Sequence, residues 1–275
     1  MTTETKIITF IGAGNMARSL ISGLIQDGSS LDIRIADPNE SQLSTFQKDW
    51  AQVSAFADNK QAIKNADIIV LAVKPQIMET VCNSLVDALS EPLIISIAAG
   101  VTENNLNQWL GGTDAKSLAI VRCMPNTPAL VQSGMTGLYA NNQVSEEQRS
   151  IAESILRAVG TTLWFDQEEK LNAVTAVSGS GPAYFFLVME AMQQAAQKMG
   201  LNAEDARLLV LQTAFGAAKL ALESDDDAAT LRQKVTSKGG TTEAAVDTLV
   251  SGGLVELFED ALNAAENRSK ELSRS

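Results

Sequence analysis

The run Ile7-Ile8-Thr9-Phe10-Ile11 leads without a break into Gly12-Ala13-Gly14-Asn15-Met16-Ala17, and no other stretch narrows the fold as much. An apolar pentapeptide followed by G-x-G-x-x-A predicts a buried strand, a tight turn and a helix start. Gly12 permits the turn, Gly14 lets a pyrophosphate come close to the backbone, and Ala17 lets the helix pack on the strand. Free N–H groups at the helix start then face phosphate oxygens. The plain alternative is a strand–helix turn with no ligand. A second apolar run ends at Asp37, 20 residues after Ala17, where an acidic side chain commonly bonds the adenosine ribose hydroxyls. That favours NADH, because a carboxylate repels a 2′-phosphate. The alternative for Asp37-Pro38-Asn39 is an Asx-turn or helix cap. Arg34 falls inside the strand and Lys48 lies far along the next helix, so no basic partner for a 2′-phosphate stands out. The choice between NADPH and NADH stays open.

From residue 6 to about 166, short apolar runs alternate with amphipathic stretches of helical period. Strands are expected at 7–11, 31–36, 68–73, 93–98, 118–123, 137–140 and 162–165. Helices are expected at 16–26, 40–50, 76–89, 103–110 and 146–159, the last opened by the capping-box pair Ser145 and Gln148. Several strands are rich in Ile and Val without polar alternation, as in sheets covered on both faces. This alternation predicts a Rossmann-type, doubly wound α/β domain over residues 1–166. Beyond it, Ala, Leu, Glu and Gln dominate, and helices are expected at 168–176, 182–199, 203–223, 228–235, 241–251 and 254–272. Residues 167–275 therefore form an expected all-α domain, with Asp227 a candidate helix cap. Leu208, Leu211, Phe215 and Leu222 recur at helical spacing. Such broad apolar faces need cover, so self-association through this half is expected.

Composition removes whole classes of chemistry. The 275 residues include no histidine, which excludes a Ser-His-Asp triad, a Cys-His dyad, an imidazole base and a His-rich zinc site. Cys82 and Cys123 are too few for a four-thiolate centre, and no metal site is expected. They fit buried small side chains in a reducing compartment. Thirty-three acidic against 21 basic residues leave a net charge of −12. Both halves are acidic, so no nucleic-acid partner is expected. The polar first residues and the lack of an unbroken 18-residue apolar run lead to an expectation of no membrane association and a cytoplasmic setting. The chemistry is left to a cofactor, backbone groups, hydroxyls, Lys, Asp and Glu.

Further motifs fall where an α/β protein binds ligands. Leu71-Ala72-Val73-Lys74-Pro75 and Ser96-Ile97-Ala98-Ala99-Gly100 close two runs at carboxyl ends of strands. Lys74 is either a phosphate or ribose contact or a surface charge before a proline. Arg122-Cys123-Met124-Pro125-Asn126-Thr127-Pro128 is stiffened by its prolines, as a binding loop or a mere connector. Val177-Ser178-Gly179-Ser180-Gly181-Pro182-Ala183-Tyr184 has the look of a small-residue turn with proline at a helix start. Ser237-Lys238-Gly239-Gly240-Thr241-Thr242-Glu243 opens another helix, and its glycines leave N–H groups uncovered for a carboxylate. A flexible helix–helix loop is the alternative there.

Taken in order, FIGAGNMA, LAVKP, RCMPNTP, SGSGPAY and SKGGTTEAA span nearly the whole chain and together resemble the pyrroline-5-carboxylate reductases. The resemblance implies a Rossmann domain for NADPH or NADH and a helical domain that interlocks with its mate in a homodimer, sometimes built further into a homodecamer. It implies Gly12 to Ala17 at the pyrophosphate, Asn59 at the adenosine side, and Ala72, Val73, Lys74 and Pro75 near ribose and nicotinamide, with Ala98 and Asn126 also lining the cofactor. It implies Thr175, Ser237, Gly239, Gly240, Thr241 and Thr242 around a small-molecule substrate, partly across the dimer interface. Members usually carry proline at the position of Lys238, so this loop is freer and gains a cation.

The implied reaction is reduction of 1-pyrroline-5-carboxylate to L-proline, the last step of proline synthesis. Gly239, Gly240 and Thr241 N–H groups would hold the ring carboxylate, and the Thr242 hydroxyl would act as the catalytic group that orients the ring nitrogen. No histidine is needed, because an imine nitrogen takes up a proton near neutral pH and the hydride is the cofactor's. A β-hydroxy acid dehydrogenase shares the domain order but relies on a lysine in the helix after the SGSGPAY turn, and here only Lys198 lies in it, at the far end. A cofactor-binding scaffold without turnover would leave the second glycine loop without purpose.

Overall fold

The computed structural model describes residues 5–111 and 117–273. The chain packs as two compact units, one running to Ser180 and taking in the segment from Ala265, the other made of Gly181–Ala264. The first unit holds eight strands: β1 (Ile7–Ile11), β2 (Asp32–Ala36), β3 (Ser54–Phe56), β4 (Ile68–Leu71), β5 (Leu93–Ser96), β6 (Ile120–Met124), β7 (Gly134–Ala140) and β8 (Gly160–Phe165). They form one sheet in the order β3-β2-β1-β4-β5-β6-β7-β8. β1 pairs parallel with both β2 and β4, Ile8 lying opposite Ile33 on one side and Ile68 on the other. Strand order therefore reverses at β1, the switch point at which open α/β sheets take their ligands.

Alternate residues of the same strands feed two separate cores. Ile8, Phe10, Val70 and Ile95 pack with Leu20, Leu24, Ile155 and Leu156. Ile11, Ile69, Leu71 and Ile94 pack with Met78, Cys82, Leu85 and Leu106. The period of two persists, but both faces are covered, which is why the strands carry no polar alternation. The covering helices are α1 (Asn15–Gln26), α2 (Glu40–Asp49), α3 (Asn59–Ala62), α4 (Pro75–Leu85), α5 (Glu103–Trp109) and α6 (Glu146–Arg157). The Ser145–Gln148 capping box forms as its spacing predicts: Ser145 Oγ accepts the Gln148 N–H at 3.2 Å and Gln148 Oε1 accepts the Ser145 N–H at 3.0 Å.

Three features depart from expectation. β3 and α3 lie where no element is expected, being too short for any periodicity to show. β7 runs antiparallel to β6, because the link holds only a 3₁₀ turn at Thr127–Val131 and a parallel crossover needs a dozen residues or more. The stretch 177–184 is no simple turn. α7 (Lys170–Val174) passes into a π-helical turn, Thr175–Gly179, ahead of α8 (Gly181–Lys198). The Ser180 N–H reaches back five residues to the Thr175 carbonyl at 2.8 Å. With the break bridged, Lys170–Lys198 is one helical stretch long and apolar enough to cross a membrane by length and composition, although its apolar window is only 22% buried. It is not an unbroken apolar run, since Ser178, Ser180 and Glu190 interrupt it.

Buried polar contacts fix α7 within the first unit. Arg122 Nη1 donates to Glu168 Oε1 at 2.7 Å, and the same oxygen accepts the Glu103 N–H at 2.5 Å. Ser269 Oγ donates to Asn172 Oδ1 at 2.8 Å, which fastens the returning C-terminal segment.

The second unit comprises α8, α9 (Ala203–Glu223), α10 (Ala228–Lys234), α11 (Thr241–Ser251) and the start of α12 (Leu254–Leu272). Asp227 caps α10, its Oδ1 accepting the Thr230 N–H at 2.7 Å. Only Gly181, Ala206 and Val210 are buried in this unit. Phe185 is 68% exposed and Leu222 88% exposed, so one copy of the unit has almost no core.

Candidate active site

The expected cofactor residues follow the carboxyl ends of six neighbouring strands: Gly12 after β1, Asp37 after β2, Asn59 after β3, Ala72 to Pro75 after β4, Ala98 after β5 and Asn126 after β6. Those strands are all mutually parallel, so these ends share one edge of the sheet. At its centre Gly12 has φ +102°, and a Cβ there would lie 2.7 Å from the Ala72 carbonyl oxygen. Only glycine fits. Its N–H donates to the Ala36 carbonyl at 2.8 Å, while the Ala72 N–H donates to the Ile11 carbonyl at 2.8 Å, so β1, β2 and β4 are drawn together.

Gly14 is different: a Cβ there would meet nothing within 4 Å. It stands at the N-cap of α1 with no side-chain cap and no acidic residue in the first turn. Unfilled space and uncapped N–H groups at a positive helix end are what a diphosphate needs. Ala17 is fully buried against the sheet, and Met16 is half-buried beside the core.

Asp37 makes the Asx-turn. Its Oδ1 accepts the Asn39 N–H at 2.8 Å and its Oδ2 accepts the Ala13 N–H at 2.8 Å. Ala13 thus turns its donor toward Asp37, unlike the phosphate-facing donors expected around it. Arg34 donates to the Lys64 carbonyl at 2.9 Å and to Asp32 at 3.3 Å, which occupies it within the domain. Asn59 opens α3, behind its cap Asp58. Lys74 is the extended N-cap of α4, with Pro75 in the first turn where a missing N–H costs nothing. Ala98 is buried.

The Asn126 amide is used in both of its roles. Its Oδ1 accepts the Met135 N–H at 2.9 Å and its Nδ2 donates to the Ser178 carbonyl at 3.0 Å. The RCMPNTP loop is therefore latched to β7 and to the π turn. Thr175 begins that turn, its hydroxyl donating to the Leu171 carbonyl at 2.7 Å.

In the second unit Gly240 is the extended cap of α11, and Gly239 has φ +72°. The Gly240 N–H, expected to face the ring carboxylate, instead donates to the Ser237 carbonyl at 3.0 Å and closes the turn. The Gly239 N–H donates to Glu243 Oε2 at 2.6 Å. Thr242 is half-buried, and Ser237, Lys238 and Thr241 are exposed. Sequence reasoning placed Glu243 in the motif without giving it a role. The usable signal is its position three residues after the cap, the capping-box spacing with glycine in place of serine.

Burial pushes the Cys82 thiol up to about 12, and burial raises Cys123 as well. Both are free, buried and protonated, so neither is a nucleophile.

Residues 168–272 match a family model described as pyrroline-5-carboxylate reductase dimerisation, and residues 7–100 match one described as NADP oxidoreductase coenzyme F420-dependent. The pyrroline-5-carboxylate reductase of Pseudomonas aeruginosa PAO1 is 51% identical over 272 residues, covering 98% of each chain. A solved structure of a pyrroline-5-carboxylate reductase from Coxiella burnetii superposes with a TM-score of 0.91 at 47% identity, covering 99% of this chain and 100% of that one. The Plasmodium falciparum pyrroline carboxylate reductase, solved with NADP bound, gives a TM-score of 0.84 at 29% identity over 98% of this chain and 99% of that one.

Proposed function

This chain belongs to the pyrroline-5-carboxylate reductase family, and from that we propose that it reduces 1-pyrroline-5-carboxylate to L-proline with NADPH or NADH. The observation that carries the proposal is the presence of two glycine-built helix starts in one chain. One, at the switch point, suits a diphosphate; the other, at the start of α11, suits a carboxylate. The space left by Gly14 and the uncapped first turn of α1 fit the cofactor. When bound, the reduced nicotinamide supplies the hydride.

The remaining work falls to this chain. Asn15 and Met16 N–H groups bind the diphosphate, with Gly12 and Ala17 shaping the turn and Asp37 bracing it through Ala13. Asn59 borders the adenosine, and Ala72, Val73, Lys74, Pro75 and Ala98 border the ribose and nicotinamide. Asn126 acts there by holding its loop. Gly239 and Thr241 N–H groups hold the ring carboxylate, with Ser237 and Gly240 forming the turn behind them and Thr175 near the ring. The Thr242 hydroxyl orients the ring nitrogen, which is basic enough to be partly protonated near neutral pH. Catalysis is then mostly positioning, an effect that lowers barriers by about 7–11 kcal/mol in well-oriented systems.

We take residues 1–166 as the cofactor domain and 167–275 as the substrate and dimerisation domain, a division the two matched ranges support. A second copy covers the apolar faces of α8 and α9, and we assign the Lys170–Lys198 stretch to that contact and not to lipid. Homodimers alone and homodimers assembled into a homodecamer are the two alternatives, and light scattering separates them. Two free buried thiols support a reducing, cytoplasmic setting.

The test is oxidation of NADPH or NADH by purified protein given pyrroline-5-carboxylate, with simple 2-oxo and 3-oxo acids as controls. Turnover with an oxo acid alone would refute the assignment. Thr242→Ala is expected to lower kcat/KM roughly threefold to tenfold, the worth of one neutral hydrogen bond, and Thr242→Ser to restore it. An alanine variant with unchanged kinetics removes Thr242 from the scheme.

A further inference from the structure

The start of α11 already holds a carboxylate, and it is the chain's own. Glu243 Oε2 accepts the Gly239 N–H at 2.6 Å, across the turn closed by the Gly240 N–H on the Ser237 carbonyl. A charge-assisted bond of that length occupies its donor fully. We propose that Glu243 is an affinity-determining residue: it fills the carboxylate position of the substrate loop when the loop is empty, and leaves when the ring carboxylate arrives. The inference rests on the reading that residues 239–241 bind that carboxylate.

Two negative groups cannot share one N–H donor, so substrate binding displaces Glu243 and loses that bond. Lys238 is exposed beside the loop, and Thr242 is half-buried within it. Glu243 sits in the first turn of α11, four residues after Gly239, so its displaced side chain stays near the bound anion and its charge opposes binding. Substrate affinity is therefore set below what the loop alone would give. Substrates lacking a carboxylate need no displacement and do not meet this cost.

Glu243→Gln removes the charge, keeps the shape and leaves a weaker, neutral bond. It is expected to lower KM for pyrroline-5-carboxylate about fivefold, the difference between a charged and a neutral hydrogen bond, with kcat unchanged. KM for 1-pyrroline, which has no carboxylate, stays the same, a contrast that a merely structural helix cap would not produce. A KM for the carboxylate substrate that is unchanged or raised in Glu243→Gln overturns the inference. A crystal structure of the wild-type protein with tetrahydrofuran-2-carboxylate separates the two levels of the argument. The mimic's carboxylate on the Gly239 N–H with Glu243 swung away supports it. The carboxylate at 239–241 with Glu243 still on Gly239 overturns the inference and leaves the reading intact. A mimic bound elsewhere overturns the reading itself.

Discussion

Replacing Gly12 by alanine asks whether the glycine loop is a structural necessity or only a ligand surface. At φ +102° an added Cβ would sit 2.7 Å from the Ala72 carbonyl oxygen and 2.9 Å from both the Ala72 carbonyl carbon and Val73 Cγ1. Two of these three atoms are backbone, so no rotamer change relieves the contact. The backbone conformation costs about 1–3 kcal/mol for a residue with a side chain. Forcing the neighbouring strand end aside costs about 1–3 kcal/mol more, as overpacking does elsewhere. A change of about 2 kcal/mol is the lower bound, and in a chain of this size it lowers Tm by at least about 4 °C. Gly14→Ala is the matched control, because its Cβ meets no protein atom and φ is ordinary. It should leave Tm unchanged while raising KM for the cofactor about tenfold or more, equivalent to about 1.4 kcal/mol. Thermal unfolding of the apo proteins and initial rates at varied cofactor give both readouts. A Gly12→Ala protein with wild-type Tm, or a Gly14→Ala protein with wild-type cofactor KM, would refute the division of labour between the two glycines.

Asp37→Ala removes the bonds to the Ala13 and Asn39 N–H groups, so KM should rise for NADPH and NADH alike, by about tenfold for lost bonds to a charged group. A rise confined to NADH would show that the carboxylate acts on the ribose and not on the loop. Cys82 keeps its proton to about pH 12 in the folded chain, against an ordinary value of 9.0, and Cys123 is shifted the same way. Between these values the unfolded chain has released the proton and the folded one has not, so stability should fall as pH rises through the window. Denaturant midpoints measured from pH 8 upward should be flat to about 9 and decline beyond it. Ellman's reagent at pH 8 should find no thiol in the native protein, and rapid native labelling would contradict the burial.

Much of the first unit is legible because its signals are local. Gly12 to Ala17 declares a turn through residue types that suit few other geometries, and Ser145 with Gln148 declares a helix start. β3 and α3 were not legible, since three and four residues are shorter than the period that would reveal them. The π turn at Thr175–Gly179 hides because its glycines and serines are the usual marks of a chain break. Here hydroxyls of Thr175 and Ser178 donate back into the helix instead. Asp37 and Glu243 show a different limit. Sequence placed both beside anion-binding loops, but whether a carboxylate meets a ligand or a backbone N–H depends on atoms brought in from elsewhere in the fold. The helical half was legible as helices and not as a core, because most of its large hydrophobic residues stay exposed within a single copy.

The chain enters the helical unit after Ser180 and comes back to the sheet-bearing one from Ala265. The dimerisation module is therefore spliced into its neighbour at both ends. In the returning stretch, Ser269 is bonded to Asn172, and Leu272 presses so closely on Gly100 that a Cβ there would lie 3.0 Å from the leucine's own. A premature stop after residue 264 would spare every residue of the helical insert and still damage the half that grips the coenzyme.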